Sequence, residues 1–186
     1  MTPAWQQRLK KSIVKNKRDA HNRYFQLATV ASDGMPRVRM VVFRGFSDDD
    51  QSLLIITDTR SAKVEELSHC SRTEIGWYFT HTREQYRLRC DSQIALFSDD
   101  SQDSQDKRAR VWSSLSEAAR AQFFWKTPGA TEGAGECPAL IETAPDTFAV
   151  IAFTPFAVDH LVLSKQQSRV ASIFEQGRWS DRAINP

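Results

Sequence analysis

Cationic and hydroxyl side chains cluster on and just after two strand-like segments of this chain. The first segment, residues 37–44, reads Arg-Val-Arg-Met-Val-Val-Phe-Arg, and residues 57–63 read Thr-Asp-Thr-Arg-Ser-Ala-Lys. The residues concerned are Arg39, Arg44, Arg60, Ser61 and Lys63. Clustered Arg and Lys beside the free N–H groups of a helix start bind phosphate well. The pattern therefore predicts a phosphorylated ligand held against a β-sheet.

The elements around these residues are predicted to be mostly strands. Apolar residues alternate on both sides of the turn dipeptide Asp33-Gly34, and the apolar run 53–56 indicates a buried strand. A short helix is expected over 61–69, with Ser61 or Thr59 as its N-cap. The remaining predicted strands lie at 74–80, 85–97 (one bent strand or two), 147–153, 157–163 and about 168–174. Six or seven strands joined by short turns predict an antiparallel barrel or sandwich.

Helices and a long loop are expected to flank this sheet. Residues 1–18 form an amphipathic basic pattern, with Trp5, Leu9, Ile13 and Val14 on its apolar side. Packing on the domain or on a partner subunit is favoured over a membrane-surface role. Residues 98–107 are expected to form a surface turn and 108–125 a second helix. The Gly- and Pro-rich stretch 127–146 is a candidate lid.

Length and composition limit the class of protein. The chain has 186 residues, 40% hydrophobic and 26% charged, which predicts one globular domain over 1–186. The net charge of +2 is low for a nucleic-acid-binding protein, so no nucleic acid is expected as a partner. No apolar run reaches the roughly 20 residues that a membrane span needs, so no membrane partner is expected.

Cysteines and histidines indicate neither a disulfide framework nor a metal site. Cys70, Cys90 and Cys137 are far apart and odd in number, which is typical of free thiols in a reducing cytoplasm. The N-terminus lacks the apolar segment of a secretory signal. The four histidines show no metal-ligand spacing. A cytoplasmic protein without a bound metal is expected.

The order of several short motifs resembles a known family. The motifs are Leu-Ala-Thr-Val at 27–30, Asp-Gly-Met-Pro at 33–36, Arg-Met-Val-Val-Phe-Arg at 39–44, Ile-Thr at 56–57, Ser-Ala-Lys at 61–63 and Glu-Gln-Tyr-Arg-Leu at 84–88. Over residues 23–97 the chain is similar to the pyridoxamine 5'-phosphate oxidase-like family of FMN-binding split β-barrels. The resemblance implies a mainly β fold with flanking helices, an antiparallel split β-barrel. It also implies a homodimer with FMN at the subunit interface.

The resemblance also implies which residues contact the cofactor. The strand of Arg39, Met40, Val41, Val42 and Arg44 would lie along the flavin, with Arg39 on the phosphate and Arg44 facing the ring and substrate. Further contacts are implied for Thr57, Ser61, Lys63, Gln85 (to the ring, from the partner subunit) and Arg169. Ala62 replaces the central Arg of the family's phosphate tripeptide, and Arg60 is a candidate replacement for that Arg.

The substrate half of the pattern departs from the oxidase. No counterparts of its vitamin-binding residues are recognised, and Leu161 stands about where the family has a flavin-contacting Trp. The resemblance is therefore nearest to the broader flavin-binding branch and not to the oxidase itself. Independently of the family, Arg39 and Arg44 differ by five positions, so strand alternation places them on opposite faces. A shared ligand would need a bulge or backbone contacts.

Several functional hypotheses follow. The first is an FMN-dependent oxidoreductase acting on a small molecule that the sequence does not identify. The alternatives are a flavin-binding or sensor protein without turnover, and the same barrel holding haem or a deazaflavin. An oligonucleotide-binding module, suggested by aromatic residues 77–79 and 86 beside Arg87 and Arg89, is disfavoured by the near-neutral charge.

Overall fold

The computed structural model describes residues 2–49, 51–129, 131 and 142–186. Within them the helices are α1 Ala4–Lys15, α2 Ala62–His69, α3 Gln102–Ser113 and α4 Glu117–Ala121, with 3₁₀ turns at Ala20–Arg23 and Gln122–Phe124. The strands are β1 Tyr24–Val30, β2 Pro36–Val42, β3 Gly45–Phe46, β4 Leu53–Asp58, β5 Arg72–Phe79, β6 Glu84–Ala95, β7 Phe148–Val162, β8 Ser168–Glu175 and β9 Arg178–Ile184. No helix in these ranges has the length and apolar character needed to cross a membrane.

Every strand pair in the described sheet is antiparallel, and the sheet divides along β7. One edge of β7 pairs with β6 along the length of that strand, from Glu84 to Ala95. Its other edge pairs with β4 through residues 148–153 and with β8 through residues 157–162. The two branches diverge from β7 and the sheet does not close, which confirms the predicted antiparallel split β-barrel.

Two apolar clusters hold the elements together. The larger lies inside the barrel, around Trp77, Phe25 and Phe153, and α1 contributes Trp5 and Leu9 to it. The smaller lies under α3, around Trp112 and Phe148. The packing of α1 on the domain agrees with its amphipathic pattern, but Val14 is 63% exposed and does not belong to the buried side.

The prediction of a helix over residues 108–125 was wrong at both ends. Helix α3 begins at Gln102, inside the segment expected to be a turn, and it ends at Ser113 instead of continuing to 125. Pairs at i,i+4 support its polar start, because Gln102 bonds Asp106 and Lys107 pairs with Asp103. The helix restarts as α4, where the Ser116 hydroxyl accepts a bond from the Ala119 amide.

The C-terminal strands also differ from the prediction. The two strands expected at 147–153 and 157–163 are one continuous strand, and the register shift opposite Arg89 and Cys90 accommodates the Pro155 region. Strand β9 was not predicted, because most of its residues are exposed and it lacks an apolar alternation. Of the proposed lid 127–146, residues 130 and 132–141 lie outside the described residues, so the lid stays a prediction.

Candidate functional site

Four of the predicted site residues meet at the start of α2, and we call this group the cation cluster: Arg39, Thr57, Ser61 and Lys63. The Lys63 ammonium donates to the Thr57 hydroxyl at 2.9 Å and to the Ser61 hydroxyl at 2.6 Å. Thr57 lies near the end of β4, and Ser61 occupies the N-cap position of α2. Ser61 makes no capping bond through its side chain, and the first N–H groups of a helix have no acceptor within it. The group therefore gathers hydrogen-bond donors around one helix start.

Arg39 reaches the cluster from β2 and is held by a buried acid. Its guanidinium donates to Glu66 at 2.6 Å and also to the Thr29 hydroxyl. Thr29 in turn donates to Glu66 at 2.5 Å. Glu66 lies on α2 one turn after Lys63, so this carboxylate ties α2 to β1 and β2. The sequence analysis missed Thr29 and Glu66, and the only available signal was the i,i+3 spacing of Lys63 and Glu66 on a predicted helix.

The electrostatics of the cluster favour an incoming anion. Burial lowers the pKa of Lys63, and the nearby Arg39 charge lowers it further. Burial alone would raise the pKa of Glu66, but hydrogen bonds from Thr29 and Arg39 outweigh it and hold that pKa below its usual value. Arg39 is thus paired with Glu66, whereas the partly dehydrated Lys63 ammonium contacts only the hydroxyls of Thr57 and Ser61. A bound phosphate would satisfy the remaining positive charge.

Two of the predicted cations point elsewhere. Arg60 makes a two-pronged contact with Asp58, at 2.9 and 2.6 Å, and donates to the Trp125 carbonyl at 3.0 Å. Arg60 is therefore paired with Asp58 in this structure, and its role as a replacement for the missing Arg stays a prediction. Arg44 follows β2 near Arg23, and burial together with that like charge lowers its pKa. The pairing of β1 with β2 is regular from Tyr24↔Val42 to Val30↔Pro36 and contains no bulge, whereas Arg44 lies beyond the end of β2, where its N–H bonds the Leu54 carbonyl at 2.9 Å.

The outward face of β1, β2 and β5 exposes five apolar or aromatic side chains beside polar ones such as Gln26 and Glu74, and we call these five residues the outer strip. Its members are Tyr24, Val30, Val38, Met40 and Tyr78. Val38 is 70% exposed and Met40 57%, whereas Val41 between Met40 and Val42 is buried in the barrel core. Exposed apolar side chains on neighbouring strands are candidates for an interaction surface.

Gln85 and Arg169 continue this outward face on neighbouring strands. Gln85 stands opposite Tyr78 on one side and Leu161 on the other, and Leu161 stands opposite Arg169. Arg169 binds the Asp159 carboxylate through Nε and Nη2, at 3.0 and 2.7 Å. These bonds lower the pKa of Asp159. Among the described contacts, neither Gln85 nor Arg169 touches the cation cluster of its own chain.

A buried polar network lies behind Gln85, on the inward side of the same strands. The Glu84 carboxylate accepts bonds from Ser12 at 2.7 Å and from His160 at 2.9 Å. The Tyr86 hydroxyl lies 3.2 Å from that carboxylate, and its ring stacks on His160 with 4.2 Å between centroids. The sequence analysis did not identify Glu84 or His160 as partners, because 76 residues separate them.

The stability that Glu84 contributes is expected to depend on pH. Burial alone would raise the pKa of Glu84, but bonds from His160, Ser12 and Thr82 outweigh it and lower the pKa from 4.5 to about 2. Because the folded pKa is depressed, this contribution is present above about pH 4.5 and is lost as the pH falls toward 2. Glu84→Gln is expected to lower the free energy of unfolding by about 2 kcal/mol at pH 7, since the carboxylate bonds are charge-assisted.

Urea denaturation of wild type and Glu84→Gln between pH 7 and pH 2.5 measures this dependence. The difference between the two proteins is expected to shrink below pH 4.5. Glu175→Gln, at an exposed position on β8, is the matched control and should show little difference at any pH. A Glu84→Gln difference that stays constant down to pH 2.5 would contradict the assignment.

Known proteins are similar to this chain over most of its length. A family model described as the FMN-binding domain of pyridoxamine 5'-phosphate oxidase matches residues 2–95. A protein of Arabidopsis thaliana named pyridoxine/pyridoxamine 5'-phosphate oxidase 2 is 31% identical over 191 residues, covering 98% of this chain and 96% of the relative. The similarity therefore extends well beyond residues 23–97, where the motifs are recognisable.

Solved structures show the same fold. A pyridoxamine 5'-phosphate oxidase-related, FMN binding protein from Nostoc punctiforme is 37% identical, with a TM-score of 0.95 and 100% of both chains covered. PhzG from Burkholderia lata, solved with tetrahydrophenazine-1-carboxylic acid, has a TM-score of 0.76 at 15% identity, over 97% of this chain and 91% of its own. At that identity PhzG supports the fold alone.

Proposed function

This chain belongs to the pyridoxamine 5'-phosphate oxidase family of FMN-binding domains, and we propose that it binds FMN and acts as an oxidoreductase on a small molecule. The observation that carries the proposal is the cation cluster at the start of α2. Two cations and two hydroxyls converge there beside free helix N–H groups. Few ligands other than a phosphate monoester use all of these donors.

The chemistry of the donor set fits the phosphate of FMN. Lys63 and Arg39 supply positive charge, and the Ser61 hydroxyl, which accepts from Lys63, can donate its own proton to the phosphate, as can the Thr57 hydroxyl in place of its 3.3 Å bond to the Asp58 carbonyl. Ala62 offers no side-chain donor, so the phosphate has fewer contacts than the family's tripeptide provides. We therefore expect FMN to bind tightly, but less tightly than with the family's complete tripeptide, and most of the phosphate binding energy to come from Lys63 and Arg39.

The second half of the site is proposed to come from a partner subunit. Gln85 and Arg169 face outward, beside the outer strip, and a second copy of the chain covering that strip would bring its own Gln85 to the first copy's flavin. Burying exposed residues such as Val38 and Met40 supplies the driving force for association. The proposed assembly is therefore a homodimer with two interfacial sites.

Val38→Glu tests the dimer. A carboxylate at the centre of the outer strip is expected to convert the dimer to monomers, measured by light scattering at micromolar concentration, because an unpaired charge is not tolerated in a buried interface. Val14→Glu, at a position 63% exposed on α1, is the matched control and should leave the mass unchanged. A dimeric Val38→Glu protein would exclude the outer strip as the interface.

In the proposed mechanism the flavin supplies hydride and electron transfer when bound, so the protein needs no nucleophile of its own. Arg39 and Lys63 bind the phosphate end and fix the position of the ring. Gln85 orients the ring by a hydrogen bond from its amide. Leu161, opposite Gln85 in the sheet, excludes water from the neighbouring surface.

The two described cysteines, Cys70 and Cys90, are unpaired. Free thiols suit a reducing compartment, and we propose a cytoplasmic location on that basis.

The visible absorption spectrum of the purified protein, with and without added FMN, tests the proposed function. A two-band flavin spectrum that NAD(P)H or another reductant bleaches rapidly would support an oxidoreductase. Bound flavin that resists reduction would favour a carrier or sensor. A sharp haem band, or no uptake of FMN on titration, would overturn the proposal.

A further inference from the structure

We propose that His160 and Glu84 are positioning residues, which hold from inside the barrel the part of the sheet that presents Gln85 to the flavin. The inference rests on the proposed role of Gln85. It assigns a function to a buried polar network that cofactor binding alone does not require.

The network lies directly behind Gln85. Side chains alternate along β6, so Glu84 and Tyr86 point inward while Gln85 between them points outward. On the neighbouring strand His160 points inward and Leu161 outward, and Tyr86 stands opposite His160 as Gln85 stands opposite Leu161. Adjacent residue pairs of the same two strands thus place the network on one face of the sheet and the proposed flavin contact on the other.

Directional bonds fix these pairs and are shielded from water. His160 is only 6% exposed, and its Nε2 lies 2.9 Å from the Glu84 carboxylate. Because the rings of His160 and Tyr86 are nearly parallel, at 10°, the stack restrains the imidazole as well. Ser12 on α1 donates a hydrogen bond to the Glu84 carboxylate, so a displacement of α1 would also displace this part of β6.

A polar network costs more to bury than an apolar cluster of the same volume, so its use here needs a reason beyond stability. Hydrogen bonds specify one arrangement of two strands, whereas apolar packing tolerates small shifts. A shift of about 1 Å at Gln85 would weaken a bond to the flavin ring, since catalytic contacts need that accuracy. Accurate placement of Gln85 supplies that reason.

Two substitutions of His160 separate positioning from packing. His160→Phe keeps a ring against Tyr86 but removes the bond to Glu84, whereas His160→Gln keeps an N–H donor near the same position. Ser52→Ala is the control, because it removes a part-buried side-chain bond between Ser52, just before β4, and Thr154 on β7.

The first measurement is amide hydrogen exchange of the cofactor-free protein at residues 84–86 and 160–162. His160→Phe is expected to speed exchange there by about tenfold, the equivalent of one such hydrogen bond. His160→Gln and Ser52→Ala should exchange there like wild type. The second measurement is the absorption spectrum of bound FMN, whose bands should shift in His160→Phe and return in His160→Gln.

Each outcome decides the inference. Positioning is supported if His160→Phe speeds amide exchange only at residues 84–86 and 160–162 and shifts the flavin absorption bands, and if His160→Gln restores both. Uniformly faster exchange over the whole sheet, or an unshifted flavin spectrum in His160→Phe, overturns it. If the wild-type protein takes up no FMN, the proposed function fails and the flavin role of His160 fails with it. A local exchange effect without an FMN spectrum identifies that case.

Discussion

Replacing Arg39 and Lys63 together by alanine is expected to weaken FMN binding by about two to four orders of magnitude. Each charge-assisted contact contributes about 1.5–3 kcal/mol, and about 1.4 kcal/mol corresponds to a tenfold change in Kd. Both side chains sit at the start of α2 with their charges partly dehydrated, so water would not replace either contact. Fluorescence titration of FMN measures the change, because flavin emission alters on binding.

The matched control for this pair removes the same number of positive charges elsewhere. Lys107→Ala with Arg110→Ala on α3 should leave Kd within about threefold, since their partners Asp103 and Asp48 are exposed and surface ion pairs contribute little. Because Arg39→Ala leaves Glu66 without its cation, Arg39→Ala with Glu66→Gln checks that the loss is not caused by an unpaired carboxylate. An unchanged Kd in the Arg39 and Lys63 double variant would show that phosphate binds elsewhere.

Trp77→Ala is expected to destabilise the fold by about 3–5 kcal/mol, the usual cost of deleting a fully buried large aromatic side chain. Trp77 is 1% exposed and packs against Phe25, Phe43 and Phe79 at ring distances of 5.0–5.3 Å. Its indole N–H donates to the Asn22 carbonyl at 2.9 Å, so the substitution also leaves a buried acceptor unpaired. The melting temperature should fall by about 10 °C or more.

Trp125→Ala is the control for this substitution, because the same residue type is 56% exposed there. Its carbonyl, which accepts the bond from Arg60, is retained in the variant. A change within about 0.5 kcal/mol is expected, measured by urea denaturation of both proteins. Equal losses in the free energy of unfolding would mean that the buried Trp77 stabilises the fold no more than the exposed Trp125.

The fold class was largely predictable because it depends on local patterns. Alternating apolar residues and turn dipeptides such as Asp33-Gly34 identify short antiparallel strands without knowledge of their partners. The same alternation predicts opposite faces for Arg39 and Arg44, and this stays a prediction because Arg44 lies beyond the end of β2. Prediction failed where the local signal was weak or misleading, as in β9, which is mostly exposed, and in α3, whose polar first turns resemble a surface loop.

The candidate site was predictable only in part. Thr57, Ser61 and Lys63 lie within seven consecutive residues, so a strand end followed by a helix start brings them together on any fold. Arg39 joins them because β2 lies beside β1 and α2 packs against that pair, which the spacing of 24 residues does not reveal. The sequence did not predict that Arg60 pairs with Asp58, two residues away, whose carboxylate binds the guanidinium.

The sequence by itself determined the strand-rich pattern, the hydroxyl and lysine motif at a helix start, and the family that these motifs resemble. Only the tertiary structure decided the partners: Glu66 with Thr29, 37 residues apart, and His160 with Glu84, 76 apart. The physical reason is that propensity and periodicity act over a few residues. Contacts across a sheet depend instead on strand order and register, which the packing of the whole chain sets.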